Sequence, residues 1–317
     1  MSEPIPRIVA LTGGTGFIGS KIAQYLLADG WQVRALVRSS WPTPPLAGLT
    51  VIEGSLEDAA SLNHLVEGTT AVVHCAGAVR AKKYADFKDV NVDGTARLAE
   101  AAANTGSRPI FLHISSLAAR APHVSPYAAS KLASEKVVAK KLAKLYWFAL
   151  RPPAVYGPGD RATLSIFQGI SKGIAPIMGS YENRISLIYV DDLATAVTAA
   201  LADPPPTGSV FEVSDGTVGG YTWRRIGEIA AQCLKKKIFY LRVPRLIMQI
   251  AAAANVGFSY LIGRAPILTQ GKVRELFHAN WACQDNPLTA CTPWWPKIGI
   301  DEGFARTLAW YREQGWI

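Results

Sequence analysis

A glycine-rich segment near the start of the chain limits the folds available to this sequence more than any other feature. The segment 11–19 follows an apolar run at 8–11 and precedes a stretch whose apolar residues recur at helical spacing. Its glycines, Gly13, Gly16 and Gly19, are three residues apart. Between a strand and a helix, such glycines permit a tight turn, close approach of the backbone to a pyrophosphate, and close helix–strand packing. The pattern therefore predicts a dinucleotide site at the N-terminus of the first helix, where unpaired N–H groups favour phosphate.

Short apolar runs alternate with helical patterns along the rest of the chain. Strands are predicted at 8–11, 32–38, 49–53, 71–75, 110–114, 145–150 and 209–213. This alternation implies right-handed crossovers and an α/β fold with a doubly wound parallel sheet. We predict a dinucleotide-binding domain over 1–156, to which 184–213 returns. The segments 157–183 and 214–317 are predicted to form a smaller, mainly helical substrate-binding lobe.

Composition excludes several other classes of protein. The 317 residues are 49% apolar and 18% charged, which favours a large folded core over disorder. The four cysteines lack Cys-x-x-Cys spacing, so we expect no disulfide framework and no metal site, and a reducing compartment. The first ten residues do not resemble a secretory signal, and the expected location is the cytoplasm. Solvated helix faces explain most of the net charge of +9, and no nucleic-acid-binding motif accompanies it, so we expect no nucleic-acid partner.

The second predicted strand ends at Arg38, which bears on the choice of cofactor. At this position a dinucleotide fold uses an acidic residue to hold the ribose 2′-hydroxyl of NAD, or an arginine to accommodate the 2′-phosphate of NADP. Arg38 therefore favours NADP(H), with NAD(H) as the alternative, although an exposed arginine without a ligand would look the same. The next segment, 41–45, contains three prolines and is predicted to be a rigid surface connection.

Polar residues suited to acid–base chemistry follow the fifth predicted strand. That strand ends at Ser115 and Ser116, and Tyr127 and Lys131 lie one turn apart on a helix that begins near Pro126. A phenol, with a pKa of about 10, is a poor acid–base catalyst at neutral pH. A neighbouring ammonium favours the phenolate, so we expect Lys131 to lower the pKa of Tyr127. Ser116 is expected to hydrogen-bond the substrate oxygen and to stabilise charge that develops there.

Five motifs occur along the chain in a recognisable order: the glycine motif, Asn91, the serine pair, the Tyr-x-x-x-Lys pair and the segment 151–160. Together they resemble those of the extended short-chain dehydrogenase/reductases, and the resemblance covers essentially the whole chain. Within that superfamily, the segments 32–38 and 151–160 are more similar to dihydroflavonol reductases and to 3β-hydroxysteroid or sterol dehydrogenases than to sugar epimerases.

The resemblance implies a Rossmann fold and an NAD(P)-dependent enzyme in which Tyr127 exchanges a proton, Lys131 also holds the nicotinamide ribose, and Asn91 supports the site. The expected catalytic residues are Ser116, Tyr127, Lys131 and Asn91. The expected cofactor-binding residues are Gly13, Thr15, Gly16, Phe17, Ile18, Gly19, Arg38, Ala76, Gly77, Ser115, Tyr127, Lys131 and Pro152. Small residues at Ala76 and Gly77 would leave room for the adenosine side of the cofactor.

Two departures from the superfamily pattern restrict the classes of substrate and reaction that we expect. Sugar-nucleotide dehydratases carry an acidic pair after the catalytic serine or threonine, whereas Leu117 and Ala118 follow Ser116 here. Epimerase-like members usually have an asparagine before the Val-Tyr-Gly-Pro segment, where this chain has Pro153 and Ala154. These departures disfavour dehydration and a nucleotide-sugar substrate.

The segment 246–262 is mainly apolar and is flanked by Arg245 and Arg264. It is shorter than the roughly 20 apolar residues that span a bilayer, and it contains three polar residues. We expect a buried helix of the substrate lobe, with a helix that lies on a membrane surface as the alternative. Either arrangement favours an apolar substrate.

These observations lead to one main hypothesis and two alternatives. The main hypothesis is an NADP(H)-dependent oxidoreductase that interconverts a secondary alcohol and a ketone on a hydrophobic small molecule. The alternatives are a nucleotide-sugar epimerase with tightly bound NAD and a non-catalytic NADP-binding structural or redox-sensing protein, which the intact Tyr127–Lys131 pair disfavours. The expected partner is the small hydrophobic substrate, and peripheral contact with a membrane and a homodimer are left open.

Overall fold

A computed structural model describes residues 7–39, 41, 47–263 and 265–317 of the chain. Of the segment 41–45, predicted to be a rigid connection, only Trp41 falls within these ranges, so that prediction lies outside the described residues. Arg264, one of the two arginines that flank the apolar segment near the C-terminus, lies outside them as well.

A parallel sheet of seven strands forms the centre of the fold. Its strands are β1 (Ile8–Thr12), β2 (Gln32–Val37), β3 (Leu49–Glu53), β4 (Ala71–His74), β5 (Ile110–Ile114), β6 (Trp147–Arg151) and β11 (Ser209–Glu212). They lie in the order β11-β6-β5-β4-β1-β2-β3, and each neighbouring pair is parallel. The predicted doubly wound fold is confirmed. Because the strand order reverses between β1 and β4, a crevice for a ligand is expected at their carboxyl ends.

Helices cover both faces of this sheet. They are α1 (Phe17–Ala28), α2 (Ala59–Val66), α3 (Tyr84–Phe87), α4 (Gly94–Asn104), α5 (Pro126–Lys141) and α7 (Val190–Ala202). On one face, α1 and α7 bury Leu26 and Val197 in the core. On the other face, α2, α4 and α5 bury Leu65, Leu98 and Val138. Burial on both sides explains why the strands are continuous apolar runs in the sequence.

Several of the remaining elements enclose a second apolar core. The remaining helices are α6 (Leu164–Ser171), α8 (Trp223–Leu234), α9 (Arg245–Leu261), α10 (Gln270–Leu276) and α11 (Ile300–Glu313). Of these, α6, α8 and α11 contribute Phe167, Trp223, Ile229 and Phe304 to that core. The short strands are β7 (Ala154–Tyr156), β8 (Ile174–Met178), β9 (Arg184–Ile185), β10 (Leu187–Tyr189), β12 (Tyr221–Thr222), β13 (Phe239–Val243) and β14 (Asn280–Trp281). β7 pairs with β10, β8 pairs with β13, and β9 lies between β12 and β14. The C-terminal region is helical, as expected, and the division into two domains stays a prediction.

Helix α9 does not lie where the sequence suggested. Leu246, Ile250 and Leu261 are 67%, 62% and 85% exposed, and of its residues only Ala252 and Ser259 are buried. The expectation of a buried lobe helix is therefore wrong, because the small and polar residues pack inward and the large apolar ones face outward. In the part of the chain that the structure describes, no helix is long and apolar enough to cross a membrane.

Candidate active site

The three glycines of the first motif form a tight turn between β1 and α1. Gly13 has a φ of +74°, which favours glycine, and a Cβ atom there would lie 2.6 Å from the Ala76 nitrogen. A Cβ atom on Gly19 would lie 2.1 Å from the Gly13 carbonyl oxygen. Gly16 caps α1 without a side-chain hydrogen bond, which leaves the first N–H groups of the helix to an anion. The turn therefore fits the pyrophosphate of a dinucleotide.

The segment that follows β4 borders this turn. The Ala76 N–H donates a hydrogen bond of 3.2 Å to Thr12 Oγ1 at the end of β1. A Cβ atom on Gly77 would lie 3.3 Å from Asn91 Oδ1 and 4.0 Å from Lys131 Nζ. The lack of a side chain at Gly77 thus keeps open the space in front of two expected catalytic residues.

Asn91 lies in a π-helical turn, Lys88–Asp93, between α3 and α4. The side chain is 2% exposed. Its Oδ1 accepts a hydrogen bond from the Ala78 N–H at 2.7 Å, and its Nδ2 donates to the Ala78 oxygen at 3.0 Å and to Ser130 Oγ at 2.9 Å. Asn91 therefore holds the segment after β4 against α5.

A buried chain of hydrogen bonds connects the glycine turn to Asn91 through His74. Thr12 Oγ1 lies 2.7 Å from His74 Nδ1, and His74 Nε2 lies 2.8 Å from Thr95 Oγ1. The Thr95 hydroxyl donates its proton to the backbone oxygen of Asn91 at 2.7 Å. Its oxygen must therefore accept from His74, so we assign the His74 proton to Nε2. Burial, aided by the charge of Lys131, lowers the pKa of His74 to about 3, which keeps the ring neutral. Sequence reasoning missed this series of hydrogen bonds. The one feature of the sequence that could have indicated it is a histidine within an apolar strand.

We predict that His74 makes the protein less stable as the pH falls. Its pKa drops from 6.5 to about 3 on folding, so below about pH 6.5 the unfolded chain binds a proton that the folded chain does not. Its contribution to stability is complete above pH 6.5 and is lost progressively as the pH falls towards 3. His74→Gln should flatten the pH dependence of the free energy of unfolding in this range, measured by urea unfolding at a series of pH values.

Two features make this test specific. His113 stacks on His74 with ring centres 5.3 Å apart, and burial lowers its pKa as well, so part of the slope should remain in the variant. His64 is exposed on α2, and His64→Gln is the matched control that should keep the full slope. A slope equally steep in His74→Gln would contradict the assignment.

Helix α5 carries Tyr127 and Lys131. Pro126 occupies the first turn of this helix, as the sequence predicted, and the Ser125 side chain caps it. Lys131 is 4% exposed, and its Nζ donates a hydrogen bond of 2.8 Å to the Ile114 oxygen at the end of β5. Burial lowers the pKa of Lys131 to about 8. The expected pair therefore sits against the sheet and not on an exposed helix face.

The pKa of Tyr127 does not follow the expectation. Burial raises it to about 12 and outweighs a hydrogen bond with the Ser116 side chain, which favours the phenolate. The negative charge of Glu275 adds to the increase. The expected lowering by Lys131 is wrong, because the loss of hydration is the larger effect on the phenol. Tyr127 is therefore a neutral phenol at physiological pH and is ready to donate a proton.

Ser115 and Ser116 face different surroundings. Ser115 is 4% exposed and donates a hydrogen bond of 2.5 Å to Glu135 Oε1. The Glu135 carboxylate also accepts two hydrogen bonds from Arg151, at 2.8 and 2.6 Å. Ser116 lines a cavity together with Tyr127. Of the two serines, Ser116 therefore borders the cavity, while the Ser115 side chain belongs to an interior network that sequence reasoning missed.

Helix α10 packs against the start of α5. Ser125 donates a short hydrogen bond to Glu275, and Arg274 Nε donates one of 2.7 Å to the Val124 oxygen. The start of the helix that carries Tyr127 therefore depends on a segment far away in the chain. No local pattern in the sequence could have revealed this contact.

A cavity of about 1450 Å³ joins the glycine turn to the C-terminal region. Its lining includes the expected cofactor-binding residues Gly13, Thr15, Gly16, Phe17, Ile18, Gly19 and Gly77. Apolar side chains line other parts, among them Phe87, Ile166, Phe167, Met178, Ile226, Met248, Ile267 and Trp281. The volume exceeds the roughly 300–1000 Å³ of a pocket for one small molecule, so a dinucleotide and a second molecule can share it.

Five of the expected cofactor-binding residues are not among those that line this cavity: Arg38, Ala76, Ser115, Lys131 and Pro152. Arg38 is exposed directly after β2, at the edge of the sheet where the glycine turn lies. Pro152 is buried after β6, and its oxygen accepts a hydrogen bond from the Leu117 N–H at 2.9 Å. The roles of all the expected cofactor-binding residues, those that line the cavity included, stay predictions.

A doubly wound sheet, a turn that fits a pyrophosphate, and Ser116 and Tyr127 at one cavity, with Lys131 one helical turn after Tyr127, are typical of one class of protein, the oxidoreductases that use a nicotinamide dinucleotide. The chain belongs to the NAD dependent epimerase/dehydratase family, whose model matches residues 9–214. It is an NAD(P)-dependent oxidoreductase of the extended short-chain dehydrogenase/reductase type, in agreement with the resemblance of its motifs.

Curated relatives match almost the whole chain. A ceramide reductase from Caulobacter vibrioides (strain NA1000 / CB15N) is 38% identical over 321 residues, which cover 100% of this chain and 98% of the relative. A UDP-glucose 4-epimerase from Vibrio cholerae is 30% identical, and the alignment covers 96% of this chain and 95% of the relative. Among solved structures, a UDP-glucose 4-epimerase from Thermotoga maritima with UDP-glucose has a TM-score of 0.75 at 21% identity and covers 97% of this chain and 99% of that one. The structural match shows a shared fold.

Proposed function

We propose that this protein is an NADP(H)-dependent reductase that interconverts a ketone and a secondary alcohol on a hydrophobic, lipid-like molecule. The observation that carries the proposal is the cavity of about 1450 Å³, which joins the glycine turn and Tyr127 to apolar side chains. Apolar walls favour a substrate with extensive apolar surface, since burying that surface is favourable. The 38% identity to the Caulobacter ceramide reductase supports a lipid substrate.

Residues of this chain are suited to three parts of the cofactor. The glycine turn would hold the pyrophosphate, Arg38 the 2′-phosphate, and Lys131 the nicotinamide ribose. When bound there, a nicotinamide cofactor supplies the hydride that reduces a carbonyl carbon.

Tyr127 and Ser116 complete the chemistry. As the carbonyl oxygen gains negative charge, Tyr127 donates its phenolic proton to it, and Ser116 donates a hydrogen bond to the same oxygen. A proton from water then restores the phenol. The pKa of about 12 keeps Tyr127 protonated at neutral pH, as a proton donor must be.

The proposed cofactor preference rests on Arg38 and can be tested by one substitution. We expect Arg38→Asp to weaken NADPH binding about 10- to 100-fold, because a hydrogen bond between charged groups contributes about 1.5–3 kcal/mol. Affinity for NADH should stay the same or improve. Fluorescence titration of both cofactors measures this, with Lys140→Asp on α5 as the control of equal charge change. A wild-type preference for NADH would contradict the prediction.

The proposed substrate class predicts a dependence on chain length. Each methylene buried against an apolar wall contributes about 0.8 kcal/mol, so kcat/KM should rise about fourfold per methylene across a series of ketones until the cavity is filled. The measurement is NADPH consumption with methyl ketones of increasing length. A kcat/KM that does not change with length would remove the support for a lipid-like substrate.

A nucleotide-sugar epimerase with tightly bound NAD is the second candidate. The 30% identity to the Vibrio cholerae UDP-glucose 4-epimerase favours it. Pro153 and Ala154, at the place where such enzymes usually carry an asparagine, and the apolar lining weigh against it. NAD that purifies with the protein, together with binding of UDP-glucose, would support this candidate.

A further inference from the structure

Helix α9 exposes the kind of side chain that a helix normally buries. Ile247, Ile250, Phe258 and Leu261 recur at helical spacing on one face and are 57%, 62%, 60% and 85% exposed. Single exposed apolar residues are common on protein surfaces and need no explanation. A stripe of four along one helix face is a different feature, typical of an interaction surface.

The opposite face of α9 carries small and polar residues and packs on the protein. Ala252 and Ser259 are buried there, and Asn255 Oδ1 accepts a hydrogen bond of 3.0 Å from the Leu268 N–H. A helix packed on a protein core normally has the reverse arrangement. The outward face of α9 is therefore suited to an apolar medium and not to water.

The part of the sequence that contains this helix is rich in cations. Residues 229–274 contain eight Lys or Arg and no Asp or Glu. Among them, Lys235, Arg242 and Arg245 are exposed. Lys82, on a different segment, is also exposed, and its Nζ lies 5.9 Å from the centre of the Tyr260 ring on α9. Apolar side chains flanked by cations complement a surface that is apolar inside and negatively charged outside, which describes an anionic bilayer.

The same helix borders the cavity. Met248 of α9 and the following residues Ile267 and Leu268 line the cavity, and Ile267 is 62% exposed. Asn255 holds Leu268 in this wall. A molecule that leaves the apolar medium beside α9 would therefore meet the cavity wall directly.

We propose that α9 lies on the surface of an anionic lipid bilayer, with Ile247, Ile250, Phe258 and Leu261 among the acyl chains and the neighbouring Lys and Arg side chains at the headgroups. This inference goes beyond the proposed reductase activity, since binding to a bilayer needs neither cofactor nor turnover. A second copy of the chain is the competing occupant of the same face.

Vesicle flotation with the purified full-length protein tests the proposal. The protein should float with vesicles of phosphatidylglycerol and phosphatidylcholine, should bind vesicles of phosphatidylcholine alone more weakly, and should lose part of its binding at high salt. The double variant Ile250→Glu/Phe258→Glu should bind at least 100-fold more weakly, because two large apolar side chains no longer enter the acyl region. Both positions are exposed, so urea unfolding and turnover of a water-soluble ketone should match the wild type.

The matched control is Val218→Glu/Trp295→Glu, which makes the same change of charge at residues that are 97% and 65% exposed elsewhere. It should float like the wild type. Equal loss of binding in both double variants would overturn the proposal, because net charge alone would then explain the effect. A second result would also overturn the proposal. In that result the wild type does not bind anionic vesicles and is a dimer by light scattering, and Ile250→Glu/Phe258→Glu is a monomer. Binding to vesicles without any ketone reduction would contradict the proposed function and leave this inference intact.

Discussion

Tyr127→Phe should lower turnover of a ketone substrate about 10²- to 10⁴-fold, the usual range for loss of a general acid. The substitution removes only the hydroxyl that donates the proton, and the ring can keep its contact with Phe87, whose ring centre lies 6.1 Å away. Affinity for NADPH should change little, because the glycine turn and Arg38 are untouched. Single-turnover kinetics and a cofactor titration on the same preparation measure the two effects separately.

Tyr84→Phe is the matched control for this prediction. Tyr84 also lines the cavity, but it is 47% exposed and stands outside the Ser116–Tyr127–Lys131 group. Its loss of a hydroxyl should leave turnover within a factor of about three, since surface substitutions usually have small effects. Turnover unchanged in Tyr127→Phe would remove Tyr127 from the mechanism.

Gly19→Ala should weaken cofactor binding. The added Cβ would meet the Gly13 oxygen at 2.1 Å, so α1 and the turn before it must move apart. Each hydrogen bond to a charged phosphate that this movement breaks costs about 1.5–3 kcal/mol, which predicts a loss of NADPH affinity of at least tenfold. Isothermal titration calorimetry with NADPH measures the loss.

Gly106→Ala separates this steric effect from a general effect of losing a glycine. Gly106 follows α4, and a Cβ atom there would meet nothing within 4 Å. This variant should bind NADPH like the wild type. If Gly19→Ala also binds normally, the pyrophosphate does not lie on the glycine turn.

The sequence predicted the architecture because the signals for it are local. Each strand of the main sheet is a short apolar run, and the turn glycines, the helix start at Pro126 and the Tyr127–Lys131 spacing lie within a few residues of the elements they mark. The alternation of strands and helices then leaves few topologies. These features were predicted without knowledge of any long-range contact.

The parts that could not be predicted depend on long-range contacts. Glu275 meets Ser125 from a distant segment, and Glu135 on α5 is an ion-pair partner inside the protein although a helical glutamate usually faces solvent. The pKa of Tyr127 depends on burial, which spacing along one helix does not reveal. The orientation of α9, by contrast, could have been predicted from a local pattern. Its inward residues Asn255 and Ser259 recur at helical spacing, but the apolar composition of the segment suggested a buried helix.

A reaction with the purified protein, NADPH and a long-chain ketone tests the proposed reductase activity most directly. The alcohol formed and the NADPH consumed are counted in the same tube, and a parallel reaction contains UDP-glucose instead of the ketone. We predict one alcohol for each NADPH, slower consumption with NADH, and no change in UDP-glucose. No alcohol from any ketone, together with conversion of UDP-glucose to its 4-epimer by protein that already carries NAD, would contradict the proposed function.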